Sequence, residues 1–193
     1  KALTTSIVVL SVALGPPISA NADSTWLDEP IQQWNQPGMP VPLVQRSGTE
    51  AQLDPRCASV ARSAETSMDA SVTDAGWTLF NPYEAGWGVA LLFGVSGYDG
   101  MCRPSMYHAF VFVDGAFAGT LAPVASMSRT DGALTRDARI EADGRLGAVF
   151  IRYAPEDPLC CPSQPSVAVS YRVERTPQGP VVLVDRMAQI PKM

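Results

Sequence analysis

The alternation of short apolar runs with turn-forming residues is the feature that most limits how this chain can fold. Among its 193 residues are 15 glycines and 17 prolines, and so many helix-breaking residues exclude long helices, coiled coils and helical repeats. Turn signals separate the apolar runs roughly every 8–12 residues, a spacing typical of antiparallel sheet proteins. The sequence therefore predicts a mainly β protein with one short helix, in which an antiparallel sheet forms a sandwich or a partly closed barrel.

Two Asp-Gly pairs predict hairpins, because this dipeptide readily adopts the backbone of a tight two-residue turn. Asp114-Gly115 follows the strongest strand candidate, and Asp143-Gly144 predicts a second hairpin turn further along the chain. A helix is predicted over residues 57–73 and a turn over residues 81–86. The predicted strands are 77–80, 87–95, 106–113, 116–121, 138–142, 145–153, 166–174 and 181–185.

The N-terminal segment, residues 1–22, has the order of a secretory signal peptide. Lys1 precedes a stretch without charged residues, residues 4–15 are mostly apolar, and Ala20-Asn21-Ala22 matches a small-residue cleavage site. The alternative is that this segment is retained as a membrane anchor. Both interpretations place the protein outside the cytoplasm, in the periplasm or at the cell surface.

Residues 23–56 form a second segment, a Pro-rich arm with no period of 2 or 3.6 residues. Trp26 and Trp34 lie in this arm and are costly to leave in water. We therefore expect residues 23–45 to be extended and to bury Trp26 or Trp34 against a partner or against the outer face of the protein's own sheet. Residues 57–193 form the third segment, a disulfide-stapled antiparallel β domain.

The four cysteines, Cys57, Cys102, Cys160 and Cys161, fit an oxidising compartment because their number is even and no C-x-x-C motif occurs. A zinc site of four thiolates is the alternative, but neighbouring cysteines in an extended chain point in opposite directions. Disulfides are therefore expected. A bond between Cys160 and Cys161 would close a small ring, so the expectation is that Cys57 and Cys102 each pair with one of them.

Charge and residue types exclude several functional classes. The net charge of −5 and the absence of basic clusters argue against nucleic acid as a partner. The single histidine, His108, has no aligned nucleophile and is interpreted as a hydrogen-bonded structural residue at a sheet edge or in the core. The aspartates are scattered at turn-like positions and form no calcium-binding loop. The sequence thus predicts no catalytic residue, no metal site and no cofactor.

The tryptophans are the most suggestive remaining feature. Trp77 and Trp87 lie in strand-like runs and are interpreted as core residues. Trp26 and Trp34 are the candidate contacts with a partner, because aromatic side chains are enriched at interfaces.

Several segments resemble the LppP/LprE-type family of exported bacterial proteins. The similarity extends over residues 55–185 and is carried by 76–81, 97–104, 107–115, 117–123, 128–134 and 157–163. The resemblance implies export to the cell envelope and supplies no catalytic residues. Named members of the family are lipoproteins, with lipid on a cysteine just after the signal segment; the first cysteine of this sequence is Cys57.

Three functional hypotheses follow. The first is a non-enzymatic exported envelope protein that acts as a binding or structural module. The alternative is an accessory extracytoplasmic subunit of a larger membrane complex of the respiratory or photosynthetic type, held by an uncleaved anchor at residues 1–22. In both, a protein partner at the membrane or envelope is expected. The third is an envelope enzyme whose carboxylates are brought together only by folding.

Overall fold

A computed structural model describes residues 25–44, 55–135 and 137–191. The predictions for residues 1–22 lie outside these ranges. The predicted fold class is confirmed, since the described residues form a mainly β protein of two antiparallel sheets, arranged as a sandwich and not as a closed barrel.

Each sheet is built almost entirely from strands that follow one another in sequence. The first sheet has the order β1 (Thr78–Gly86), β2 (Val89–Tyr98), β3 (Pro104–Val113) and β4 (Ala116–Thr120). The second sheet has the order β5 (Ala133–Leu134), β7 (Leu146–Arg152), β8 (Gln164–Thr176) and β9 (Gly179–Gln189), and β6 (Arg139–Ile140) also pairs with β7. Short connections of this kind favour antiparallel neighbours.

The helical residues form three short pieces: 3-10 helices at Trp26–Asp28 and Pro55–Val60, and α1 at Ser67–Asp74. The one short helix expected from the sequence is confirmed as α1, but its predicted bounds, 57–73, are wrong, because the first residues of that range belong to a separate 3-10 helix. Helix α1 has its own start, because Thr66 and Asp69 exchange the side-chain-to-backbone hydrogen bonds of a capping box. Within the described residues, no helix is long and apolar enough to cross a membrane.

Two apolar clusters cover the two faces of the first sheet. The inter-sheet core lies between the sheets and includes Leu91, Val111, Phe150 and Tyr171. The outer core lies on the opposite face, beneath α1, and consists of Val72, Ala75, Trp77, Leu79, Ala90, Leu92, Phe110 and Phe112. The first sheet is therefore buried on both faces, which explains why β2 and β3 are continuously apolar rather than alternating.

The hairpin tips partly match the prediction. Asp114 and Gly115 adopt left-handed backbone (φ 50° and 83°) and connect β3 to β4 as expected. Trp87, predicted to begin a strand, instead forms the β1–β2 turn with Gly88, at φ 58° and 72°. Residues 81–86, predicted as a turn, continue β1 beyond an irregularity in its register with β2. The turn-rich composition of this stretch reflects that irregularity, where Asn81 has φ 60°.

The arm closes the seam between the two sheets. The edge strands β4 and β9 lie side by side. The Asn35 amide donates to the carbonyls of Thr120 (3.0 Å) and Val182 (2.9 Å) and accepts from the Thr120 N–H (2.9 Å). Gln33 exchanges two similar bonds with Val184, each 2.9 Å. Side-chain amides thus satisfy backbone groups that edge strands otherwise leave open.

The disulfides join Cys57 to Cys102 and Cys160 to Cys161. The pairing expected from the sequence is therefore wrong. Cys57, on the short helix at Pro55–Val60, lies with its Cα 5.2 Å from that of Cys102 in the β2–β3 connection. Cys160 and Cys161 are not extended as assumed, because they lie in a turn closed by a hydrogen bond from Cys161 N–H to the Pro158 carbonyl.

Candidate functional site

A cavity of about 340 Å³ opens on the outer face of the first sheet and is called here the His108 cavity. The sheet contributes Ser96 and His108, and Trp77 lies directly before β1. The arm contributes Leu43, and the segment after β4 contributes Val124. The arm is fixed at this position because the Trp77 indole N–H donates to the carbonyl of Pro42 at 2.7 Å. Apart from His108 and Ser96, the lining is largely apolar.

His108 is the chemically distinctive residue of this cavity. It lies on the buried strand β3, only 8% of the residue is exposed, and its ring packs edge-on against Trp77 at 5.3 Å. No described residue forms a hydrogen bond with the imidazole, and Nδ1 is fully buried. Burial lowers the pKa of His108 to about 4, so the ring is neutral at pH 7.

The hydrogen-bonded structural histidine expected from the sequence is therefore only half right, since the residue is buried but unpartnered. A neutral imidazole carries one donor and one acceptor, and neither has a partner among the described residues. The Ser96 hydroxyl donates to the carbonyl of Ser105 at 3.3 Å and keeps its own acceptor capacity. No carboxylate lines the cavity among the described residues, so this arrangement can bind through hydrogen bonds but lacks the orienting acid of a catalytic triad.

Trp26 and Trp34 pack against the inter-sheet core of their own chain. Their rings meet edge-on at 5.1 Å, and Trp26 meets Phe150 at 5.0 Å. The Trp34 indole N–H donates to the Thr120 carbonyl at 3.1 Å. Within the described residues 25–44 the arm is extended and almost without regular structure, as predicted. Trp26 and Trp34 cover the open edge of the sandwich rather than the outer face of a sheet. Both side chains stay half-buried beside a cavity of about 260 Å³, so contact with a partner stays a prediction.

Two aspartates meet at one arginine and tie the arm to the second sheet. Arg152 on β7 contacts Asp28 of the arm and Asp131 of the β4–β5 connection, each at 2.9 Å. Burial raises the pKa of Asp28, but hydrogen bonds from Thr25 and Arg152 outweigh it and hold that pKa below its usual value. Because the guanidinium lies between the two carboxylates, this constellation is a structural clamp rather than an acid–base pair.

A second buried clamp involves Asp69 at the start of α1. The Asp69 carboxylate accepts from Arg62 at 2.5 Å and from two backbone N–H groups at 3.0 Å, and these bonds hold its pKa low despite burial. Within the described residues, no group of three or more histidine, cysteine, aspartate or glutamate side chains could hold a metal ion.

Sequence reasoning missed three residues that the structure makes prominent. Trp87, interpreted as a core residue, is 69% exposed at the β1–β2 turn. Asn81 and Arg129 have left-handed backbone (φ 60° and 65°) and line a common cavity. No local sequence signal identifies them, because asparagine and arginine are ordinary surface residues and only folding brings them together.

The protein is thus a disulfide-bonded sandwich of two antiparallel sheets. The imidazole of His108 is buried in a largely apolar cavity on the outer face of its first sheet. A model of the LppP/LprE lipoprotein family matches residues 90–176, from β2 to the end of β8. The match confirms the resemblance seen in the sequence over this segment, and similarity to a lipoprotein family suggests an exported, envelope-associated protein. Comparison with curated proteins and with solved structures finds no match.

Proposed function

We propose that this protein is a non-enzymatic binding module of the cell envelope, and that the His108 cavity holds a small apolar ligand with one hydrogen-bonding group. The observation that carries the proposal is the buried, unpartnered imidazole in an otherwise apolar cavity. An unsatisfied buried polar group costs about 1–3 kcal/mol. A ligand hydroxyl, carbonyl or N–H that meets the imidazole recovers part of this free energy.

The lining favours an uncharged ligand. None of the described residues that form the cavity is aspartate, glutamate, lysine or arginine, so a charged group would lose hydration without gaining a partner. The volume of about 340 Å³ lies in the range of small-ligand pockets, about 300–1,000 Å³. The non-enzymatic part of the proposal is supported by the lining: among the described residues no carboxylate orients His108, and the Ser96 hydroxyl donates to the Ser105 carbonyl rather than to the imidazole.

The test uses N-phenyl-1-naphthylamine, an uncharged apolar fluorophore with a single N–H. We expect saturable fluorescence enhancement with the wild-type protein. His108→Phe keeps an aromatic ring but removes both nitrogens, and we expect it to weaken binding about 3- to 10-fold, the value of one neutral hydrogen bond. Circular dichroism and the melting temperature establish that the variant is folded.

A matched pair of substitutions tests the location. Val124 and Leu159 are similarly exposed, at 62% and 64%, but only Val124 lines the cavity. Val124→Trp places an indole at the mouth and should weaken probe binding at least tenfold, whereas Leu159→Trp should leave it unchanged. Absence of saturable binding to the wild type, or equal effects of the two substitutions, contradicts the proposal.

The alternative of an accessory subunit is favoured by one observation. Trp87 is exposed on left-handed backbone at a hairpin tip, and tryptophan is enriched where proteins meet. N-terminal sequencing of the native protein tests this alternative. A chain that starts at Asp23 has lost the anchor and contradicts it, whereas a chain that retains residues 1–22 supports it.

A further inference from the structure

A different cavity, of about 300 Å³, lies between the two sheets and is called here the Arg129 cavity. Phe80, Phe93 and Tyr107 line it from the first sheet, and Ile151 and Tyr153 line it from the second sheet and the residue that follows β7. The walls are thus mainly aromatic. The hydroxyl groups of the two tyrosines donate to the carbonyls of Leu134 (2.5 Å) and Leu159 (3.0 Å).

Two polar side chains line the same cavity without partners. Within the described residues, the side chains of Asn81 and Arg129 form neither hydrogen bonds nor ion pairs. This is unusual for an arginine of this protein, since seven others, at positions 62, 103, 139, 145, 152, 172 and 175, are ion-paired. The second arginine of the cavity, Arg103, is among them, 2.5 Å from Asp99. The cavity therefore carries one uncompensated positive charge.

The backbone at both residues is left-handed, a conformation that is strained for arginine and better tolerated by asparagine. Asn81 has φ 60° at the irregularity in β1, and Arg129 has φ 65° in a turn that Thr130 Oγ1 closes by donating to the Met127 carbonyl at 2.9 Å. Left-handed backbone is unfavourable for a side chain such as that of arginine, because Cβ then lies too close to a carbonyl oxygen. Such strain clusters at ligand sites, where it aims a side chain in a direction that relaxed backbone does not allow.

We propose that the Arg129 cavity binds a small carboxylate with a flat apolar body. The guanidinium of Arg129 presents a donor fork that matches a carboxylate, and the Asn81 amide adds a further donor. The single uncompensated charge favours a monoanion, and the aromatic walls favour a ring that can stack on them. This site is independent of the His108 cavity, which lies on the other face of the first sheet and, among the described residues, has no charged lining residue.

Isothermal titration calorimetry with 2-naphthoate and its uncharged analogue 2-naphthamide tests the proposal. The wild type should bind the carboxylate at least tenfold more tightly than the amide. Arg129→Gln should weaken naphthoate binding at least tenfold and change naphthamide binding less than twofold. Arg186→Gln removes an equal charge from an exposed position on β9 and should change neither, with the melting temperatures of both variants compared to the wild type.

Three results overturn the proposal. They are failure of the wild type to bind 2-naphthoate, equal affinity for the acid and the amide, and equal effects of Arg129→Gln and Arg186→Gln. Tighter binding of 2-naphthyl phosphate than of 2-naphthoate would overturn the assignment to carboxylates. Titration of N-phenyl-1-naphthylamine into Arg129→Gln should match the wild type, so the outcome at this cavity and the outcome at the His108 cavity are separate.

Discussion

Asn35 can pair with both edge strands because the residue opposite it has no side chain. A Cβ built on Gly119 would lie 2.3 Å from Asn35 Cγ, and Gly119 has φ 136°, which side chains rarely adopt. Gly119→Ala should therefore displace the Asn35 amide and disrupt its three hydrogen bonds, each worth about 1 kcal/mol. Gly115→Ala is the matched control, because Gly115 also has positive φ (83°) but nothing within 4 Å.

We expect Gly119→Ala to lower the free energy of unfolding by at least about 2 kcal/mol more than Gly115→Ala, which should cost about 1 kcal/mol for its backbone alone. Urea denaturation measures both. In the double variant with Asn35→Ala, the two costs should be less than additive, because the clash partner is already gone. Additive costs would show that Asn35 is not what excludes a side chain at position 119.

His108 also makes stability depend on pH. Burial lowers its pKa from 6.5 to about 4, so between these values the unfolded chain binds a proton that the folded protein does not. Stability contributed by the neutral ring is complete above about pH 6.5 and is lost as the pH falls towards 4. The expected loss between pH 7 and pH 5 is about 2 kcal/mol.

The experiment compares urea midpoints of the wild type and His108→Gln at pH 7 and pH 5. The wild type should lose stability over this interval, and the variant should lose much less. The lowered pKa values of Asp28, Asp69 and Asp99 do not interfere, because the stability that these carboxylates contribute is lost only as the pH falls below about 4. Equal losses in both proteins would contradict a buried neutral histidine.

At the scale of elements, the arm acts as part of the sandwich. Trp34 packs on the inter-sheet core and donates a hydrogen bond to Thr120, whereas Trp87 is largely exposed. Trp34→Ala should lower the free energy of unfolding by about 2–3 kcal/mol, less than the 3–5 kcal/mol of a fully buried aromatic residue. Trp87→Ala should change it by less than about 0.5 kcal/mol. Thermal and urea unfolding of the two variants distinguish a structural arm from a spacer, which would give equal, small effects.

Elements that depend on local chemistry were predictable from the sequence. The Asp114-Gly115 turn and the apolar run before it specify the β3–β4 hairpin, because the whole signal lies in residues that are adjacent in sequence. The β1–β2 turn was missed because Trp87 stands where Asn or Asp is usual, and because Asn81 lets β1 continue through residues that resemble a turn. The seam closed by Asn35 could not be predicted, since it joins residues about 85 and 147 positions apart.

The candidate sites follow the same rule. His108 could be placed on the apolar face of a strand, but its lack of a partner depends on the arm and on the segment after β4, which arrive from distant parts of the sequence. The Arg129 cavity depends on residues from both sheets. Whether a buried polar group finds a hydrogen-bond partner depends on the whole folded molecule. Sequence patterns therefore predict burial better than they predict which buried group lacks a partner.

At the scale of the whole molecule, the first sheet is the central layer. The second sheet covers one face, while α1 and the arm cover the other. The arm contacts both faces, since Trp26 and Trp34 pack on the inter-sheet core and Val41 and Val44 pack on the outer core. One wall of the His108 cavity therefore belongs to a segment that also holds the two sheets together, and changes at the seam should weaken ligand binding on the other face.

The two disulfides should differ greatly in their contribution to stability. Cys57 and Cys102 are separated by 45 positions, whereas Cys160 and Cys161 are adjacent. A cross-link stabilises mainly by removing conformations from the unfolded chain, so a loop of this length corresponds to about 4 kcal/mol in the chain-entropy model, while adjacent cysteines restrict little. The variant Cys160→Ala Cys161→Ala should consequently unfold within about 1 kcal/mol of the wild type.

That double variant retains one disulfide and isolates the effect of Cys57–Cys102. Addition of dithiothreitol under denaturing conditions should release two thiols per chain. Reductant should also lower the free energy of unfolding of this variant by about 2–4 kcal/mol. Unchanged stability after confirmed reduction would contradict the structural role of this bond. Four reactive thiols in wild-type protein purified from its native compartment would contradict both disulfides and the oxidising environment that export implies, because cysteines in such a compartment are expected to be paired.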